Sequence, residues 1–316
     1  MRQNRVAILG GAGFIGRYVV KRLAERGDIV AVGGRNAASA KFLKLKGNVG
    51  QVALLNVSLN DERLLRAFVS TGDIVVNLVG VLRESGSQRF EAVHHIGPAR
   101  LARIAREAGI ERFIQMSAIG ADPRSPSAYA RTKAAGEAAA RDAFPTATIL
   151  RPSAVFGPED QFFNRFAAIA TVSPVLPLIG GGETLFQPVY VGDVAEAVVR
   201  VIDESSTAGR TYELGGPKIY SLRALMELLL EEIRRKRLLV SVPFGAAAIQ
   251  ARLLSLLPDA PLTPDQVEML KYDNIVSPNA LGFEALGIEP TAVEAILPTY
   301  LDRFRRGGWY AREPAA

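Results

Sequence analysis

The feature that most constrains this fold is a strand-to-helix junction near the start of the sequence. "RVAILG" (5–10) is a continuous apolar run, and "GGAGFIGRYVVKRL" (10–23) comes directly after it. The spacing reads G-x-x-G-x-x-G over Gly10, Gly13 and Gly16, and also G-x-G-x-x-G from Gly11. Each glycine has a mechanical reason. Gly10 permits a tight turn, Gly13 lets an anionic group approach bare backbone, and Gly16 lets the helix pack closely on the sheet. The first helical turn, with Phe14 and Ile15, offers unpaired N–H groups and the positive end of the helix dipole. Taken alone, such a stretch is also what a ligand-free glycine-rich turn looks like.

The rest of the N-terminal half decides between a ligand site and a bare turn. Strand-like apolar runs at 28–34, 50–56, 73–80, 112–118 and 147–153 alternate with helical patterns at 14–26, 61–69, 88–108 and 127–144. Continuous apolar strands separated by helices predict a parallel sheet covered on both faces. Right-handed crossovers then give a doubly wound α/β fold of Rossmann type. In that context the glycines predict a dinucleotide with its phosphates on the helix that begins near Phe14.

After about residue 155 the texture changes. "SPVLPLIGGG" (173–182) reads as a Pro/Gly-rich loop. "FQPVYVGDVAEAVVRVID" (186–203) reads as a strand and a helix N-capped by Asp193, and "RTYELGG" (210–216) as another strand. "SLRALMELLLEEIRRKR" (221–237) predicts an amphipathic helix capped by Ser221, with the remainder helical and broken at Pro258, Pro261 and Pro264. The expected organisation is a nucleotide-binding core over 1–155, to which 186–216 returns. Residues 156–185 and 217–316 form a smaller, mostly helical region for substrate or partner.

Composition excludes several chemistries. The 316 residues contain no cysteine, which removes disulfides, thiolate metal sites, iron–sulfur clusters and thiol nucleophiles. The histidines are His94 and His95 alone, so no histidine-built metal site is expected. The net charge of +6 suits an anionic cofactor, an anionic membrane or nucleic acid without choosing among them. No nucleic-acid reading module is found, so nucleic acid is not expected. No uncharged apolar run reaches about 18 residues, so no membrane span is expected. The strand-like run begins directly after "MRQN", so no signal peptide is expected, and the expected home is a reducing compartment such as the bacterial cytoplasm or the mitochondrial matrix.

Two positions speak to cofactor and chemistry. The second strand ends in "VGGRN", with Arg35 where an NAD site ordinarily places an acid, and no acid lies between Val30 and Ala40. A guanidinium there suits a 2′-phosphate, which favours NADP(H) over NAD(H). Asn56, ending the third strand, is placed for the adenine edge. Tyr129 and Lys133 form Y-x-x-x-K in a predicted helix, one turn apart on one face. An ammonium beside a phenol lowers the phenol's pKa toward neutrality and equips it for proton exchange. A surface Tyr and Lys would give the same bare pattern.

These features together resemble the short-chain dehydrogenase/reductase superfamily in its extended form. The resemblance implies that a serine near the end of the fifth strand and an asparagine in the preceding long helix join the Tyr and Lys. Aligned on "FIQMSAIG", Ser117 takes a cofactor-facing position and Ala118 stands where the catalytic serine belongs. Aligned on "HHIG" (94–97), His94 stands in the asparagine's place. The implied contact set is Gly10, Gly13, Phe14, Ile15, Gly16, Arg35, Asn56, Val57, Val79, Ser117, Tyr129, Lys133, Pro152 and Val155. Tyr129 and Lys133 are the catalytic candidates.

A narrower resemblance runs nearly the whole length, through "VNLVG" (76–80), "SAYARTKAAGE" (127–137), "RPSAVFGPEDQFFN" (151–164), "QPVYVGDVA" (187–195) and "LGIEPTAVEAI" (286–296). It is similar to a family of nucleotide-binding accessory subunits of respiratory complex I, the ninth-subunit type of the alpha subcomplex, with bacterial relatives. That implies a tightly held NADPH and a structural or assembly role. Residues 231–258 join Arg234, Arg235, Lys236 and Arg237 to an apolar segment, the pattern either of a peripheral membrane or partner contact or of a buried helix with a solvated basic end. Two alternatives stay open: a working reductase, epimerase or dehydratase on a sugar nucleotide or other carbonyl compound, and an NADPH-sensing regulator.

Overall fold

The computed structural model of the chain describes residues 3–255 and 262–307. It divides into two compact units. The first comprises Met1–Pro152, Val191–Leu214 and Pro278–Glu289. Its elements are β1 (Arg5–Leu9), α1 (Phe14–Glu25), β2 (Ile29–Gly34), β3 (Val52–Asn56), α2 (Glu62–Val69), β4 (Ile74–Asn77), α3 (Gly97–Glu107), β5 (Arg112–Met116), α4 (Ala128–Ala143), β6 (Thr148–Pro152), α5 (Val191–Asp203) and β7 (Thr211–Leu214).

The seven strands form one parallel sheet in the order β7-β6-β5-β4-β1-β2-β3. Alternation along each strand sends side chains to both faces. Ala7 and Leu9 of β1, Ala31 of β2, Val75 of β4 and Phe113 of β5 pack with Leu65 and Phe68 of α2, Leu101 and Ile104 of α3, and Ala140 of α4. Helices α1 and α5 pack against each other, and Arg22 of α1 donates to the Gly192 carbonyl at 3.0 Å. Strand order reverses between β1 and β4. That is the switch point at which a doubly wound sheet opens a crevice beyond its strand ends.

The expected elements of this unit are present, with shorter ends. The long helix at 88–108 is interrupted: Glu91–Ile96 forms a π-helical turn before α3. The segment after Arg35 winds into a 3₁₀ helix, Ala37–Lys46, capped by Asn36. Asp193 is not an N-cap. Helix α5 already starts at Val191, directly after the strand Val189–Tyr190, so Asp193 lies buried in the first turn.

The second unit comprises Ser153–Tyr190, Gly215–Ser277 and Pro290–Ala316. Phe156, Phe163, Leu176, Leu178, Leu225, Met226, Leu229 and Leu301 form its core. The loop expected at 173–182 is in part a strand. Val175–Ile179 pairs in parallel with Leu238–Val242, burying Leu176 and Leu178 while Val175 and Pro177 face out. The partner strand comes some sixty residues later, beyond the reach of local composition. Residues 238–242 carry a helical expectation, and β-pairing overrides it. Ser221 does cap a helix, its Oγ accepting the Ala224 N–H at 3.1 Å, but the helix is Leu222–Glu232. It stops five residues short of Arg237 because Arg234 turns left-handed, at φ 52°.

Within 231–258 the structure shows that strand and a helix, Phe244–Leu254, in which only Ala247 and Ala251 are buried. The buried-helix alternative for this segment therefore fails over its described part. Residues 256–258, with Pro258, and Pro261 lie outside the described residues. Pro264 opens the short helix Pro264–Met269 rather than ending one. Among the described residues, no helix is long and apolar enough to cross a membrane.

Candidate functional site

The glycine turn sits at the switch point. Gly10 has φ 85° and its N–H donates to Gly33 O at 2.9 Å, tying the turn to the end of β2. A methyl group added at Gly10 would lie 3.1 Å from the backbone of Leu78 and Val79, so the loops after β1 and β4 meet here. At Gly16 it would lie 2.5 Å from Gly10 O and from Gly11 Cα, an overlap with backbone. At Gly13 it would stand 3.1 Å from Gly10 O. Gly13 is the N-cap of α1 and brings no capping side chain, and the first turn carries no acid. The N–H groups of that turn, over Phe14 and Ile15, have no intrahelical acceptor.

At the end of β2, Arg35 is exposed. Asn56 closes the same edge: its Oδ1 accepts the Ala37 N–H at 2.8 Å, holding the start of the 3₁₀ helix. Val57 is buried beside Asn56 and donates its N–H to Gly34 O at 2.8 Å. Val79 N–H meets Asn77 Oδ1 at 3.2 Å. Pro152 ends β6, where Ile119 N–H reaches its carbonyl at 3.0 Å. Val155 belongs to the second unit, in the strand Val155–Phe156.

Ser127 caps α4, and Tyr129 and Lys133 follow one turn apart, both buried. The Lys133 Nζ stands 5.7 Å from the centre of the Tyr129 ring. Its head lies against the loop after β4, since a methyl group on Gly80 would be 3.1 Å away. Burial pulls this ammonium down to about 8, and the Glu137 carboxylate works against that fall. Glu137 itself is clamped by Arg151, at 2.9 and 2.7 Å, and Arg151 also reaches Glu213 at 3.3 Å.

His94 is buried against this pair. It stacks on Phe90 with ring centres 5.3 Å apart and meets Tyr129 edge-on at 5.2 Å. Its Nε2 accepts the Val81 N–H at 3.1 Å, which assigns the ring proton to Nδ1, 3.3 Å from Thr132 Oγ1. That hydroxyl donates to Ala128 O at 2.8 Å and is left to accept. Burial, and then the Lys133 charge, push the imidazole down to about 3, so it is neutral. Both nitrogens are engaged with protein, and neither remains as a donor to a substrate carbonyl.

Ser117 follows β5, with its N–H on Leu150 O at 2.7 Å. Its side chain is 4% exposed, and its Oγ has no hydrogen-bond partner among the described residues. A buried orphan hydroxyl is costly and calls for a partner. The next residue, Ala118, offers a methyl group.

Three contributors carry no motif that marks them in the sequence. The first is Gly136, where a methyl group would lie 1.8 Å from His94 O. It is the glycine that lets α4 press against the π-turn. The spacing Tyr129, Lys133, Gly136 is i, i+4, i+7 on one helical face, which is the signal that could mark it. Glu137 and Arg151 are the other two, and their pairing is hidden because the bond spans two elements.

The glycine cradle and the orphan Ser117 hydroxyl at the same end of the sheet fit a dinucleotide. Residues 6–215 match the NAD dependent epimerase/dehydratase family. The chain is 38% identical to "NADH dehydrogenase [ubiquinone] 1 alpha subcomplex subunit 9, mitochondrial" of Arabidopsis thaliana, over 95% of this chain and 78% of that protein. It is 32% identical to "NADH-ubiquinone oxidoreductase 40 kDa subunit, mitochondrial" of Neurospora crassa, over 99% and 82%. Among solved structures, a dTDP-glucose 4,6-dehydratase of Streptomyces venezuelae with NAD bound superposes with a TM-score of 0.73 at 20% identity, over 95% and 96% of the two chains, a likeness of fold.

Proposed function

The chain belongs to the NAD dependent epimerase/dehydratase family, and from that premise we propose that it is an NADP(H)-binding accessory protein of a respiratory NADH:quinone oxidoreductase, in which the nucleotide is structural. The observation that carries this is the contrast within one site. The phosphate cradle is whole, while the positions expected to polarise a substrate carbonyl hold Ala118 and a histidine with both nitrogens engaged. Loss of one such donor ordinarily costs about 10²–10³ in rate. The similarity to proteins of Arabidopsis and Neurospora that are named as subunits of that respiratory enzyme supports this choice of partner. The bound dinucleotide would supply hydride chemistry in an active relative. Here Phe14, Ile15 and Gly16 would hold its phosphates, Arg35 its 2′-phosphate, Val57 and Asn56 its adenine, and Ser117 and Lys133 its nicotinamide half. The protein would work in the cytoplasm, peripheral at the inner membrane face, with residues 231–258 as the contact.

Mass spectrometry of the protein as purified is the test. Co-purifying NADPH at near one equivalent is expected, and a chain that neither carries nor is stabilised by NADPH or NADH refutes the binding claim. Tagged protein should retrieve subunits of the respiratory dehydrogenase from membranes of its own organism, and retrieval of none refutes the partner.

Tyr129 and Lys133 favour a second possibility, a reductase or epimerase using Tyr129 as acid/base. Turnover of any carbonyl substrate that vanishes in Tyr129→Phe would establish it over the first.

A further inference from the structure

Phe42 is a large aromatic left 37% exposed on the 3₁₀ helix that joins β2 to β3. It is not idle there. The Arg17 guanidinium lies over its ring, 5.2 Å from the centre, and the Arg17 Nε donates to Gly13 O at 3.4 Å. Arg17 is thus held between an aromatic face and the mouth of the glycine turn.

The platform is itself braced. Asn36 caps the 3₁₀ helix, Asn56 grips its first N–H, and Ala40 and Leu43 bury its inner face. Arg35 leaves β2 two residues beyond Gly33, whose carbonyl holds Gly10. Arg17 and Arg35 therefore flank the same turn from α1 and from the end of β2.

Charge makes the place selective. From Ile29 through Asn60 the chain has no aspartate or glutamate, while Lys41, Lys44 and Lys46 are all present and exposed. An acid at the end of β2 would bind ribose hydroxyls and repel a phosphate there, and this stretch does the reverse. Two guanidiniums, one pre-set by stacking, suit a phosphomonoester that is largely dianionic at neutral pH.

We propose that Arg17, held over Phe42, closes with Arg35 on the phosphate carried by the adenosine ribose of the dinucleotide, making Arg17 and Phe42 determinants of NADPH over NADH. This rests on the dinucleotide-binding function proposed above and names residues of the same site.

Calorimetric titration of the full chain, freed of nucleotide, with NADPH and with NADH tests it. Wild type should prefer NADPH. Arg17→Ala should weaken NADPH about tenfold, equivalent to about 1.4 kcal/mol, and leave NADH unchanged within about twofold. Phe42→Ala should act in the same direction and less strongly, and Arg17→Lys should not restore the preference, since lysine lacks the fork. Equal losses for both nucleotides in Arg17→Ala would assign Arg17 to the pyrophosphate and overturn the proposal. So would wild-type NADPH affinity in that variant. A wild type that binds neither nucleotide is a different outcome, and it refutes the underlying site instead.

Discussion

Ser117→Ala separates a binding site from a structural one by the sign of two effects. The Ser117 hydroxyl is buried and has no partner among the described residues. An unsatisfied buried polar group costs about 1–3 kcal/mol. Replacing it with a methyl-bearing residue removes that cost and leaves a gap of one oxygen atom. The nucleotide-free protein should therefore become more stable by about 1–2 kcal/mol, which raises its melting temperature by roughly 2–8 °C for a unit of this size. The nucleotide-bound protein should respond the other way. A hydrogen bond that the hydroxyl makes to the bound dinucleotide is worth about 0.5–1.5 kcal/mol, so affinity should fall roughly three- to tenfold. Calorimetric melting of both proteins, with and without NADPH, reads both effects, because ligand stabilisation depends on the ratio of ligand to Kd. A nucleotide-free variant that melts below wild type would show that the hydroxyl is satisfied without ligand. A stabilised variant with an unchanged NADPH increment would show that it is an orphan without function. Either result refutes the reasoning.

Four further variants each test one position. Gly136→Ala sets a methyl group 1.8 Å from His94 O, which backbone cannot yield cheaply, and should lower stability in urea by about 3 kcal/mol, whereas Gly245→Ala, in open space on a helix, should raise it by about 0.5–1 kcal/mol. Lys133 titrates in the folded chain at about 8, below its ordinary value of 10.5; the unfolded chain holds that proton more tightly across this window, so stability should rise with pH there by up to about 1.4 kcal/mol per unit, and Lys133→Met should flatten that rise in urea midpoints taken across the window. Tyr300→Phe removes the hydroxyl that donates to Asp160 Oδ2 at 2.6 Å and leaves a buried carboxylate one donor short; about 1–3 kcal/mol should be lost at neutral pH, and urea melts should show the loss shrinking as pH falls and the carboxyl becomes neutral.

The parallel sheet is legible in the sequence because its information is local. Each strand is a continuous apolar run between helical periods, and a sheet covered on both faces leaves no other arrangement for such runs. The errors lie where a partner is distant. Val175–Ile179 reads as a loop because Pro177 and the glycines after it dominate its composition, and pairing with Leu238–Val242 decides its state. The helix expected to reach Arg237 ends at Glu232, because Arg234 adopts a left-handed backbone that propensity does not favour. Asp193 has the residue type of a cap but not the place of one, since the helix leads straight out of a strand.

The site divides in the same way. Glycine spacing and Tyr129/Lys133 can be read from one segment each, so the cradle and the buried pair stand out. Phe42 and Gly136 act across elements, on Arg17 and on His94; the segment of Phe42 says nothing of it, and that of Gly136 offers only its spacing from Tyr129 and Lys133. His94 shows why that matters for function. As a bare substitution it could be a new proton donor, because an imidazole titrates near neutrality in water. Burial between Phe90, Tyr129 and Lys133 instead keeps it neutral, with one nitrogen on Val81 and the other on Thr132. The histidine therefore fixes the loop after β4, against which Lys133 rests. Under the structural role proposed for the nucleotide, this engagement of both ring nitrogens is what would leave a substrate carbonyl without a donor from His94.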